Sequence, residues 1–471
     1  EKQTEPNADH LLFIRRSASL VPGFLRPTAL IDDWEYAAPE LRNASQPPAT
    51  INPDGSLHFS DDFLRLIAPY LGNARPELVL VDPLNTTSKR EFQLGSAELQ
   101  QIWQTDRQTL LLGARVQSGE FRVRDLLTVA NAGEISTYQS PAAAQKFSVP
   151  YSRESVYAYE FFRATPALTL IAGASYDHVE HPANVLSPPF SDKQMEVSRT
   201  NAKLGFTYAP GRWFTVRGAY LEAVGGATYD ESVRLEPVQI AGFSQAFRSV
   251  ISESLVGTVQ APVYETLGAS VEGSTPGRTW WGASYNRIDE SVERTVGTFD
   301  FFFWAIAPEA KFPTNTPQKM DYREEVYTAT LDQLFGDQFA AAITYRRTEA
   351  DLHRVLPLAA AVLNDEVDRT DHATLDEVLL HAVWNSPLGW FAWTQAAWRK
   401  QEVTTLPVNL TTHDDFWQVD VAAGRRFRQN KCEISAGVLN LTDQDYQLNP
   451  LTYTQNIPHE RTFFVRCRVG F

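Results

Sequence analysis

From about residue 90 to its end the chain repeats one unit: a strand-like segment, a very short turn, a second strand-like segment and a long polar connection. The turns fall at Thr105–Asp106, Thr165–Pro166, Pro210–Gly211–Arg212, Pro276–Gly277, Gly336–Asp337, Pro387–Leu388–Gly389 and Gln429–Asn430. These residue types close tight hairpins, because Gly, Asn and Asp accept unusual φ values and Pro presets the bend. The long connections lie roughly at 128–154, 180–199, 226–265, 294–322, 354–373 and 405–414. Short and long alternate without exception. Such a chain is restricted to an antiparallel up-and-down meander with all its long loops at one end.

The strands leaving the turns have a two-residue period. Leu110, Leu112, Ala114 and Val116 interleave with Leu111, Gly113, Arg115 and Gln117; Phe339, Ala341, Ile343 and Tyr345 interleave with Ala340, Ala342, Thr344 and Arg346. A soluble sandwich would bury the apolar face, whereas a membrane barrel turns it to lipid and keeps a wet interior. Aromatic residues cluster at strand ends (Tyr176, Tyr208, Trp213, Tyr220, Trp281, Tyr285, Trp384, Trp390, Trp398), and the opposite face carries mid-strand arginines. Both features fit the membrane. The predicted class is all-β: a transmembrane antiparallel up-and-down barrel with short periplasmic turns and long outer loops. Seven hairpins give fourteen strands, Arg461–Phe471 a fifteenth, and Glu77–Asp82, joined through Asn85–Lys89, a sixteenth of opposite direction. The barrel is expected over 71–471. The proline-rich residues 1–70 are expected to form an irregular arm, a lumen insert or the stub of a removed domain.

Composition agrees with this reading. A net charge of -15 argues against nucleic acid, which needs a basic face. The longest greasy run, Phe299–Ala307, is about half of what a membrane helix needs and contains Asp300. A mean hydropathy of -0.29 suits a barrel, since only alternate residues of each strand meet lipid. Two cysteines exclude a disulfide scaffold. The polar opening EKQTEPNADH is what a processed or trimmed end would show.

The last hairpin reads Gly437-Val-Leu-Asn440-Leu-Thr-Asp443-Gln-Asp445-Tyr446 and then Pro458-His-Glu-Arg461-Thr-Phe-Phe-Val-Arg-Cys-Arg-Val-Gly-Phe471. Asn440, Leu441, Asp443, Tyr446, Pro458, Arg461, Thr462 and the terminal Phe471 resemble the closing segment of TonB-dependent receptor barrels. Thr442 and His459-Glu460 depart from that pattern. The resemblance implies an outer-membrane barrel, with Asn440, Asp443, Tyr446, Arg461 and Phe471 serving closure and the assembly signal. Members of that family place a plug domain before a larger barrel. Neither a plug nor a TonB box is visible here, so energy-coupled uptake does not follow.

A barrel of this size can hold an aqueous channel whose lining charges and inward-folded loops set selectivity. The inward candidates are Arg115, Asp177, Arg217, Asp332, Arg346, Asp420, Arg426, Arg466 and Arg468, with Arg426, Arg466 and Arg468 forming a basic ladder on neighbouring strands. Mutual neutralisation of these charges is the plainer alternative. The longest connection, 226–265, contains Arg234, Gln239, Phe243 and Gln245 and is a candidate constriction if it folds back. Phe301 and Trp304 mark an aromatic outer loop that could meet a ligand or partner. His178 and His181 lack metal spacing, and no metal or cofactor is expected. Cys432 and Cys467 could pair only if the register sets them opposite. No nucleophile elbow, P-loop or dinucleotide fingerprint occurs, so no enzyme is expected. The reading is a transport or channel barrel of the bacterial outer membrane, with the membrane lipid and other envelope proteins as the expected partners and its solute unspecified. Its rivals are a surface component that binds a protein through the outer loops, and a secreted all-β carbohydrate-active or carbohydrate-binding protein.

Overall fold

The computed structural model describes residues 2–15, 49–51, 57–59, 77–129, 137–138, 144–211, 213–226, 234–246, 261–302, 310–357, 368–406, 410–427, 431–444 and 460–469. One 17-stranded sheet dominates. Its long strands are β1 Lys2–Arg15, β2 Glu77–Gln104, β3 Gln108–Val129, β4 Ala144–Thr165, β5 Leu168–Asn184, β6 Ser191–Gly211, β7 Phe214–Val224 and β8 Val263–Ser274. The series continues with β9 Thr279–Phe302, β10 Ala310–Phe335, β11 Phe339–Val355, β12 Asp368–Asn385, β13 Trp390–Leu406, β14 Leu410–Phe427, β15 Cys432–Leu439 and β16 Thr462–Val469. The two-residue strand Thr137–Tyr138 completes the sheet. Every consecutive pair from β2 to β16 is antiparallel, as the alternation of short and long connections requires. No helix among the described residues is long and apolar enough to cross a membrane.

The apolar face points outward. Leu112, Val116, Leu170, Leu204, Leu331, Ile343 and Leu380 are exposed, while Arg115, Gln117, Ser175, Asp177, Asn201 and Lys203 on the other face are buried. Beside the short turns stand Trp103, Trp213, Trp281, Phe335, Phe339, Trp384, Trp390 and Phe427; a second ring holds Tyr176, Tyr327, Tyr345 and Trp417. From Phe335 up to Tyr327, or from Phe427 up to Trp417, the rise on a tilted strand is roughly 20–25 Å, the height of a lipid-facing band. The Tyr285 and Tyr327 rings meet across β9 and β10 at 5.1 Å, tilted by 44°.

Two expectations are corrected. The segment Glu77–Asp82 is no separate strand, since Glu77–Gln104 is continuous. The residues taken for a turn, Asn85–Lys89, stay extended because they are held by ladders to β3, Asn85↔Thr128 to Lys89↔Arg124, with Thr86–Lys89 paired to β1 as well. The strand of opposite direction is β1, which lies in the stretch expected to be irregular; it pairs with the outer half of β2 from Lys2↔Lys89 to Arg15↔Glu77.

The long connections are also shorter than expected. The stretch 294–322 is mostly ladder, from Arg294↔Gln318 to Phe302↔Ala310. Above the outer aromatic ring the pattern inverts: Arg287, Asp289, Arg323 and Arg347 take the outward face while Val292, Met320, Tyr322 and Leu352 are buried on the inner one, so the apolar-outward period breaks off while the backbone bonding continues. Charge pairs run across this zone: Arg287–Asp289 at 2.7 Å, Arg323–Asp289 at 2.8 Å and Arg347–Asp376 at 3.4 Å. Each exposed pair stabilises little, but together they favour the ribbon over a loose loop.

The motif at the top of β15 has a local physical basis. Asn440 is buried at φ 51°, and Asp443 sits at φ 55°. The Asn440 Oδ1 accepts from the Gln444 N–H at 3.0 Å, its Nδ2 donates to the Gln444 carbonyl at 2.9 Å, and its own N–H donates to Asp420 at 2.7 Å. Asp443 accepts from the Arg461 N–H at 3.1 Å and so fixes the start of β16. Asn440→Ala is expected to cost about 2–3 kcal/mol, from two lost side-chain bonds and a left-handed backbone that Ala tolerates less well than Asn. Asn440→Gly removes the strain and should fall between Ala and the wild type in thermal unfolding followed by heat-modifiable gel migration.

Candidate functional site

The connection between β7 and β8 folds into the barrel. Residues 234–246 carry a two-strand hairpin, Gln239–Ile240 paired with Phe243–Ser244, whose tip turns at Ala241 (φ 50°) and Gly242 (φ 92°). Ile240 is fully buried and Phe243 nearly so, packed with Leu111, Tyr157, Tyr159, Ile171, Ala219 and Leu221 from the inner wall. The wall is hollowed by glycine where the tip lands. A Cβ on Gly268 would lie 2.1 Å from the Phe243 ring, and one on Gly205 would lie 2.8 Å from Ile240. Gly268 stands about six residues above the short turn that follows Ser274, so the loop descends deep into the lipid-spanning zone.

Polar tethers hold the loop on the opposite wall. Glu98 of β2 accepts from the Leu235 N–H at 2.9 Å, the Glu236 N–H at 3.1 Å and the Tyr157 hydroxyl at 2.7 Å. Gln100 donates to the Leu235 carbonyl at 2.7 Å. Tyr159 donates to Glu236 at 2.7 Å, Gln245 donates to the Pro237 carbonyl at 2.6 Å, and Arg234 pairs with Glu236 at 3.2 Å. Gln239 is exposed at the start of the hairpin.

Beside the loop lies a buried polar network. Asp177 of β5 accepts from Arg153 at 2.7 Å, Ser155 at 2.6 Å, Asn201 at 2.8 Å and Ser175 at 3.2 Å. Arg153 also donates to the Val224 carbonyl at 3.1 Å, and Lys203 donates to that of Glu222. Arg115 is buried on the same inner face. Above this layer Phe121, Val123, Tyr151, Val179, Val185, Phe190 and Val224 form a second apolar layer. On the described side formed by β3–β8, the lumen is therefore filled in layers.

The remaining charges expected inside divide into pairs. Arg217 bonds Glu272 at 2.7 Å, and Arg346 bonds Glu377 at 2.7 Å. Asp332 is exposed on the inner face of β10, and Asp420 receives the Asn440 N–H. The ladder of Arg426 and Arg468 carries a carboxylate between its rungs, with Arg426↔Glu433 and Glu433↔Arg468 in register. Arg426 donates to Glu433 at 3.0 Å and to Asn385 at 2.7 Å. Arg466 lies exposed on β16 opposite Ser435. His178 and His181 do not converge: His178 bonds Ser198 at 2.8 Å, and the buried His181 meets the Pro182 carbonyl. Cys432 faces Val469 and Cys467 faces Ile434, and both thiols are free. Phe301 is the second-last residue of β9, and its side chain, with Trp304, Tyr446 and Phe471, lies outside the described residues.

Sequence reasoning missed Glu98, Tyr159, Arg153 and Lys203. Their inward parity was available, but the partners that give them a role come from strands and a loop far away in the chain.

The outward apolar band and the lumen-seated loop define a class: this is an outer-membrane β-barrel. No family model matches the sequence, and no curated protein matches it. Among solved structures the chain is similar to the FrpB iron transporter from Neisseria meningitidis, at 12% identity and a TM-score of 0.53, covering 84% of this chain and 60% of that one. It is also similar to the ferripyoverdine receptor of the outer membrane of Pseudomonas aeruginosa, at 13% identity and a TM-score of 0.46, covering 82% and 49%. A third is the copper transporter OprC, at 14% identity and a TM-score of 0.46, covering 83% and 58%. The chain thus spans between about half and three-fifths of these proteins' lengths.

Proposed function

We propose that this chain forms the wall of an outer-membrane transport barrel and that residues 234–246 are its constriction. The observation that carries this reading is the seating of Ile240 and Phe243 against Gly205 and Gly268, deep in the lumen. A loop serving only surface recognition would gain nothing from a glycine hollow at that depth. The cargo is a solute that passes the accessible inner charges Arg217, Asp332, Arg346, Asp420, Arg426, Arg466 and Arg468, while Arg115 and Asp177 are buried in the wall-side packing; no enzymatic chemistry is assigned. The similarity to FrpB, an iron transporter, supports transport as the general activity.

The test is planar-bilayer conductance of the purified chain and of Gly268→Val, whose side chain displaces the Phe243 ring. Conductance is expected to rise several-fold in the variant. Equal conductance in both would remove the loop from the pathway, and no conductance in either would remove the channel.

A further inference from the structure

We propose that the lipid-facing side of β12–β15 seats one anionic phospholipid of the periplasmic leaflet, its phosphate on Arg425 and an acyl chain in the groove above. Arg425 shares the outward face of β14 with Trp417, two positions from the strand's end at the short-turn side. Its guanidinium lies 5.0 Å from the Trp390 ring and 5.1 Å from the Phe427 ring. Among the described residues no carboxylate pairs with it, and its Nε has no hydrogen-bond partner. Its neighbour Arg426 shows the contrast, since it turns inward and is held by Glu433 and Asn385. A cation held by rings at a membrane interface is poorly compensated until an anion reaches it.

The groove begins one outward position above Arg425. Ala392, Ala423 and Ala436 lie side by side in register across three strands, Thr394 and Val421 continue the trough, and Trp384 stands at its side. The groove holds about 540 Å³ and is lined almost wholly by apolar atoms. Elsewhere at this level the wall carries Phe335 and Trp281, which fill the band themselves. An apolar trough with a cation at its lower end matches one acyl chain joined to a phosphate. The short-turn end faces the periplasm, where the leaflet is phospholipid. Charge complementarity therefore selects an anionic phospholipid.

The experiment is native mass spectrometry of the full chain released from mild detergent after incubation with equal amounts of phosphatidylglycerol and phosphatidylcholine. The wild type is expected to retain one phosphatidylglycerol. Arg425→Gln should retain at least tenfold less, and Ala423→Phe, which fills the groove and leaves the charge, should lose it too. Arg425→Lys should keep it, and heat-modifiable migration verifies that each variant is folded. Equal retention of the two lipids by the wild type, or undiminished phosphatidylglycerol on Arg425→Gln, would overturn the assignment.

Discussion

Glu98→Ala should release the lumen loop without touching it. The carboxylate receives two backbone N–H groups of the loop and the Tyr157 hydroxyl. Hydrogen bonds to a charged acceptor contribute more than neutral ones, so losing both loop bonds is expected to cost the seated state about 2–3 kcal/mol. The seated fraction then falls by roughly thirtyfold or more relative to the released one, since each 1.4 kcal/mol is about tenfold. Arg234 reports on this directly, because its side chain is fully buried against Glu236 in the seated loop. Trypsin should cut after Arg234 far faster in Glu98→Ala than in the wild type, and bilayer conductance should rise with it. Glu98→Gln, which keeps one acceptor oxygen, should lie between. Unchanged cleavage at Arg234 would mean that the apolar tip alone holds the loop.

The second large effect is expected at the Arg153–Asp177 pair, where both side chains are almost wholly buried. Removing one partner leaves a charge with no water to receive it, a loss of about 3–5 kcal/mol. Asp177→Ala is the severer choice, because Ser155, Ser175 and Asn201 also lose their acceptor. The double variant Arg153→Met/Asp177→Leu should recover much of that loss, since it replaces the ion pair with packing. The measurement is the temperature at which the folded gel band disappears, taken for the two single variants and the double. If the double is no better than Asp177→Ala, the hydroxyl and amide bonds matter more than the charge pair.

The amino-acid pattern carried the meander, the direction of the apolar face and the fifteen long strands from Glu77 onward, but not the strand Lys2–Arg15. All three rest on local chemistry: turn residues at Gly336–Asp337 or Pro387–Gly389, and the alternation of Leu112 and Val116 with Arg115 and Gln117. Where strands leave the lipid that chemistry stops informing. Residues 294–322 read as a loop because the apolar face switches from outside to inside there, although Arg294–Phe302 and Ala310–Gln318 are laddered throughout. The Asn85–Lys89 stretch misled for the same reason: turn-forming residues stay extended when neighbouring ladders hold them. For the candidate site, the loop was legible as a mixed apolar and polar segment. Its docking place was not, because Gly205 and Gly268 gain meaning only beside Ile240 and Phe243.

The ribbons that rise beyond the outer aromatic ring bear on how this barrel is seen from outside. On β9 and β10, Glu293 stands opposite Lys319 and Asp289 opposite Arg323, so each patch of outer surface combines residues distant along the chain. A short synthetic peptide copied from this region would reproduce only one edge of such a patch. Antibodies or phage proteins selected on the native barrel should therefore fail to bind the corresponding linear peptides, and epitope mapping by peptide arrays would under-report this surface.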